Sequence, residues 1–208
     1  MKALAVELLH ITIQYQGFEP GFHVSGIYPL TAAINEDRLS PQKKKGDFDL
    51  SNRIKKKLKD IKQVKKELHE GRSAQEILEF KDEAMVEFYQ AAYKLFIGKR
   101  YTDAANAFLF LVTLNPYRHD YWVGLGMATQ MCQNYEAAID AYEMAAICQM
   151  ESPTPYFYLA KCLFAIHDRE SALMALDLAI EYSGESEEFR DLKSQALKAK
   201  AILLKEKS

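Results

Sequence analysis

One periodicity governs what this chain can become. Three segments beginning at Met85, His119 and Pro153, each 34 residues after the last, carry side chains of matching size at matching positions. Position four holds Phe88, Trp122 and Tyr156, and position eight holds Ala92, Gly126 and Ala160. Position seventeen is Tyr101 and Tyr135, with Arg169 as the exception, while position twenty is Ala104, Ala138 and Ala172. Position twenty-four is Phe108, Tyr142 and Leu176, and position twenty-seven is Leu111, Ala145 and Ala179. A fixed period of this length means one supersecondary unit stacked on copies of itself.

The order large–small–small–large is the tetratricopeptide pattern, and its mechanics explain the residue types. Two antiparallel helices approach closely only where small residues let the backbones meet, and bulky neighbours then fill the space beside them. The turn closing each unit falls at Pro116 in the first repeat and Gly184 in the third. The second has Met150 there and delays its prolines to Pro153 and Pro155. The expected fold is all-α: a three-repeat solenoid (85–118, 119–152, 153–186) with N-terminal helices and a C-terminal capping helix over 187–205. That last helix is read from the stripe Phe189, Leu192, Ala196, Ala199 and Leu203, which would cover the apolar face a final repeat leaves open.

Upstream the composition shifts. Residues 1–41 hold three of the nine glycines and three of the six prolines, with no sustained apolar period, and read as an irregular or poorly ordered extension. Between Lys43 and Lys66 there are 11 Lys/Arg against 3 Asp, so a net charge of −2 for the chain conceals a block of +8. Residues 42–72 are expected to form a basic amphipathic helix, with Ile54, Leu58, Ile61, Val64 and Leu68 on one stripe and Gly71 ending it. Packing on another helix (within the chain or across a dimer), a solvated helix, and polyanion binding all suit that pattern. Ser73 to Glu76 has capping-box spacing, so a short helix should open the tetratricopeptide domain at 73–208.

Catalytic and cofactor signatures are missing: there is no GxxxxGK[ST], HExxH or GxSxG. Gly124-Leu125-Gly126 resembles the start of a dinucleotide loop, but Thr129 stands at the third glycine's place, and position eight already requires Gly126 to be small. The five histidines are scattered, and Cys132, Cys148 and Cys162 contain no CxxC, so neither a zinc site nor a disulfide scaffold is expected. Glu136, Asp140 and Glu143 read as a solvated helix face. The expectation is a non-enzyme without cofactors in a reducing, cytosolic compartment; Glu7 and His10 interrupt the only signal-like stretch, and no cleavage site follows.

In such a solenoid the first helix of each repeat lines a concave groove through positions two, five, nine and twelve. These are Val86, Tyr89, Tyr93 and Phe96; then Asp120, Val123, Met127 and Gln130; then Thr154, Phe157, Lys161 and Phe164. A clamp for a chaperone's C-terminal carboxylate would need Lys, Arg and Asn here. Aromatic rings instead favour an extended apolar peptide. At ~25 cal/mol per Å², burying ~300 Å² of it gives on the order of 7 kcal/mol before ordering costs. Phe88, Trp122 and Tyr156 are assigned to the core. Tyr89, Tyr93, Phe96 and Phe157 are read as groove-facing, with inter-helix core as the competing assignment.

The runs FYQAAYKLFIGKRYTDAANAF, YWVGLGMATQMCQNYEAAIDAYEMAAI and PYFYLAKCLFAIHDRESALMALDLAIE resemble the class II chaperones of bacterial type III secretion, over about residues 73–205. Gly124 to Gly126, the Asn134 to Ala138 turn and the linker before repeat three carry most of the likeness. The resemblance implies an all-α, non-catalytic cytosolic protein that keeps hydrophobic translocators soluble by gripping a Pro-x-Leu-x-x-Pro-like segment. Tyr89, Tyr93 and Phe96 match the aromatic positions of that family's groove. It also implies homodimerisation through N-terminal helices. Residues 1–72 are longer and more basic than the usual arm, which suggests another partner such as a secretion gatekeeper. A general tetratricopeptide scaffold and a polyanion-binding adaptor are the other readings.

Overall fold

The computed structural model describes residues 54–57 and 59–205; the expected irregular extension over 1–41 lies outside them. Among the described residues every regular element is helical. After a helical turn at 54–57 come α1 (Ile61–His69), α2 (Ala74–Ile77), α3 (Asp82–Ile97), α4 (Tyr101–Leu114), α5 (His119–Met131), α6 (Tyr135–Cys148), α7 (Pro153–Ala165) and α8 (Arg169–Ser183). A 3₁₀ turn (Glu187–Phe189) then leads into α9 (Arg190–Lys205). Helices α3/α4, α5/α6 and α7/α8 fall on the three 34-residue segments, and α9 is the expected terminal helix.

Two compact units divide the chain. The smaller holds the described residues up to Ala91 together with Phe110–Pro116, and the larger holds Ala92–Leu109 and the residues from Tyr117 onward. In the smaller unit the basic stretch is not the single helix its periodicity predicts. The chain turns at residue 59, and Asp60 caps a new helix by accepting from the Gln63 amide at 3.1 Å. An aspartate before an apolar stripe satisfies amide donors that a continuing helix would have used itself. Val64 and Leu68 are buried, whereas Ile61 faces water. Lys57 Nζ donates to the Ile77 carbonyl and pairs with Glu79, each at 2.7 Å, so part of this basic segment packs within the chain. The capping box is present: the Ser73 hydroxyl accepts from the Glu76 amide (3.2 Å), and the Glu76 carboxylate from the Ser73 amide (2.8 Å).

In the larger unit, the small positions do what the repeat asks of them. Ala92, Ala104, Ala138, Ala145, Ala172 and Ala179 are all fully buried. Both glycines of α5 are packing residues. A Cβ on Gly126 would lie 2.6 Å from the Tyr142 ring, and one on Gly124 would overlap the Phe108 ring. The terminal helix α9 buries Ala196 and Leu203 against the last helix pair, as a cap should.

The turn inside each repeat has a regularity that side-chain types conceal. Lys99, Gln133 and His167 are 34 residues apart and all adopt the left-handed conformation, with φ of 60°, 62° and 66°. Each sits just past a helix in a paired hydrogen-bond closure. The Gln133 amide donates to the Gln130 carbonyl, and the Asn134 amide reaches back to that of Thr129. The bonds at Lys99/Arg100 and His167/Asp168 are equivalent. This is the αL closure that satisfies the orphan carbonyls of a helix end. The next residue starts the following helix: Asn134 accepts from the Ala137 amide and Asp168 from the Ser171 amide.

Candidate functional site

The stripe read from the sequence runs along α3, α5 and α7, and the structure puts its members at different depths. Tyr89 belongs to the smaller unit and is half-buried. The rest belong to the larger one. Tyr93 is 51% exposed, and Phe96 is half-buried with its ring edge-on to Tyr101 at 5.5 Å. On α5, Val123, Met127 and Gln130 are half-buried. The Gln130 side-chain oxygen accepts from the Tyr142 hydroxyl at 2.8 Å, which fixes this amide from the core side.

On α7 the structure brings three residues together. Phe157, only 7% exposed, lies in the core with its ring edge-on to Tyr158. Lys161 is exposed and rests its ammonium 5.3 Å from the centroids of both rings. Phe164, one turn further on, is 47% exposed. Helical geometry explains the cluster: residues three and four apart share a face, so Phe157, Tyr158 and Lys161 meet. Tyr158 stands at position six, where repeats one and two have Gln90 and Gly124, so the repeat gave no reason to single it out. A three-and-four-residue search back from Lys161 would have found it.

Of the residues assigned to the core, only Trp122 is buried; Phe88 and Tyr156 are half-buried among other rings. Phe88 packs edge-on between Phe80 and Phe110 in the smaller unit. Trp122 is buried, and Tyr156 stacks on Tyr182 while its hydroxyl donates to the Met150 carbonyl. Tyr142 is fully buried and stacks on Tyr158 at 5.7 Å. Burial, with Cys162 and Tyr158 adding to it, pushes the Tyr142 hydroxyl far up, so it stays a neutral donor to Gln130. Burial also pushes the Cys162 thiol up to about 12, against a smaller lowering by Lys161, which leaves it an apolar filler. Cys132 differs: it is exposed at the end of α5, with its sulfur 3.8 Å from the Thr102 hydroxyl.

On the outer face of α6, Glu136 and Glu143 are exposed and Asp140 is half-buried. Burial raises the Asp140 and Glu143 carboxyls, with neighbouring carboxylates adding to it. His119 is tied down on both ring nitrogens, Nδ1 lying 2.9 Å from the Ala145 carbonyl and Nε2 3.4 Å from the Ser152 hydroxyl. Among the described residues no helix is long and apolar enough to cross a membrane.

Several known proteins are similar to this chain. The tetratricopeptide-repeat family profile matches residues 88–117 and 119–151. The low calcium response locus protein H of Yersinia pestis is 28% identical over 117 residues, which span 56% of this chain and 70% of that protein. The type III secretion chaperone SycD of Yersinia enterocolitica, solved in complex with a peptide of the translocator YopD, is similar at 25% identity with a TM-score of 0.61. That likeness covers 62% of this chain and 99% of SycD. A chain of the CopN–Scc3 complex is 26% identical with a TM-score of 0.59, covering 61% of this chain and 75% of its own.

Proposed function

We propose that this chain is a tetratricopeptide class II chaperone of type III secretion, and that it holds an extended apolar segment of a hydrophobic translocator along α3, α5 and α7. Held in this way in the bacterial cytosol, the translocator stays soluble and export-competent. The binding residues in this reading are Tyr93, Phe96, Val123, Met127, Gln130, Lys161 and Phe164, all in the larger unit; of the other two expected from the sequence, Phe157 lies on the core side beneath Lys161 and Tyr89 belongs to the smaller unit. One observation carries it: Tyr93 and Phe164 leave about half of their aromatic surface in water, at stripe positions nine and twelve of repeats one and three. Two large rings exposed on one stripe of the helices suit an apolar segment as anchors. SycD, solved with a translocator peptide, supports the same class of cargo here.

Co-expression with the candidate translocator tests the reading. Wild-type protein should co-purify with it, and Tyr93→Glu should lose the complex while keeping its far-UV circular dichroism. A charge introduced into an apolar contact goes unpaired when the peptide docks, so the loss should be at least tenfold. A complex that survives Tyr93→Glu unchanged would rule the stripe out. It would favour a general scaffold that binds through another surface.

A further inference from the structure

Position nine of the stripe is Tyr93 in repeat one, Met127 in repeat two and Lys161 in repeat three. Two apolar side chains are thus followed by a cation. Among the described residues no carboxylate pairs with that cation; it rests on the faces of Phe157 and Tyr158, 5.3 Å from each centroid. A ring face attracts an ammonium but accepts none of its three N–H donors in the way a carboxylate does. In the free protein, water supplies those acceptors, because Lys161 is exposed. A peptide covering the stripe would displace that water, with Phe164 exposed one turn away. An apolar peptide side chain over Lys161 would therefore leave a charge desolvated and unpaired, whereas a carboxylate there would pair with it.

We propose that Lys161 is a specificity residue, and that the segment this chain holds carries an Asp or Glu opposite repeat three. This rests on the peptide-binding reading above and adds to it a polar requirement that an aromatic stripe alone would not impose. The cation both rewards the right sequence and penalises a wholly apolar one, which is how a greasy groove can reject the many apolar segments of unfolded chains.

The test uses labelled decapeptides built on Pro-x-Leu-x-x-Pro, one with glutamine at every x and three with a single glutamate at one x. Affinities are read by fluorescence anisotropy with the full chain at low salt. One glutamate peptide should bind about tenfold tighter than the all-glutamine peptide, and the ratio should shrink as salt rises. In Lys161→Met that ratio should fall to about one, and in Lys161→Glu the matching lysine peptide should become the tighter binder. Equal binding of all four peptides to wild-type protein, or a preference that survives Lys161→Met, overturns the role of Lys161. If such binding is still lost in Tyr93→Glu, the groove reading stands without it. Binding that ignores Tyr93→Glu, or no binding of any peptide, removes both.

Discussion

Replacing Gly124 by alanine puts two opposed effects on a single methyl group. Gly124 lies inside α5, where alanine ordinarily gains about 1 kcal/mol over glycine in helix propensity. Its Cβ, however, would lie 2.6 Å from Phe108 Cζ and 2.5 Å from Cδ1. Carbon atoms rest about 3.5–4.0 Å apart, so the ring must retreat by about 1 Å. Phe108 is only 2% exposed, with no solvent side to move into. Overpacking of a closed core costs about 1–3 kcal/mol, and an overlap along one whole edge of a buried ring belongs at the upper end. The net expectation is a loss of about 2 kcal/mol, read by urea denaturation with circular dichroism, or about 4–8 °C in Tm. In a Phe108→Leu background the obstacle is gone, and the same Gly124→Ala change should stabilise by about 1 kcal/mol. If Gly124→Ala stabilises the wild-type protein, or the two substitutions are additive, close helix contact is not the reason for this glycine.

Gln133→Gly should raise stability by about 0.5–1 kcal/mol, because the left-handed φ of 62° costs a side chain more than glycine loses in chain entropy; thermal melts decide it. Arg169→Tyr restores the residue of repeats one and two and removes buried Nε and Nη2 donors that have no partner among the described residues, so it should stabilise by about 1–3 kcal/mol in urea titrations. Asp140 has its carboxyl raised by burial and then by Glu136, so the folded state holds its proton more tightly than the unfolded chain. The contribution of Asp140 to stability is therefore most favourable in acid, falls as pH rises through the folded value, and is flat above it. Asp140→Asn should raise Tm at neutral pH and flatten that acid-side slope.

The helix pairs were legible because their constraint acts on side-chain size. Alanine or glycine recurs wherever two backbones meet, and Ala104, Ala138 and Ala172 are buried as that predicts. The terminal helix was legible for a similar reason, since Ala196 and Leu203 share a face. The turns were not. Lys99, Gln133 and His167 share a backbone conformation and no chemistry, so alignment by residue type passes over them. Gly124 was hidden because its partner Phe108 lies on another helix and position six is not shared between repeats. The break at Asp60 was masked by a stripe whose apolar spacing continues across it. The depth of the stripe was the hardest part to read. Phe157 falls on the core side, whereas Tyr93 and Phe164 stay in water, although one stripe holds all three.

Site-specific photocrosslinking tests the central claim most directly. A photoreactive phenylalanine analogue is placed at Tyr93, at Phe164 or at Met174, which is 57% exposed on α8 and belongs to no stripe position. The chain is then co-expressed with the candidate translocator and irradiated. The account predicts crosslinks to one short translocator segment from positions 93 and 164 and none from 174. Crosslinks from 174 with positions 93 and 164 silent would contradict it.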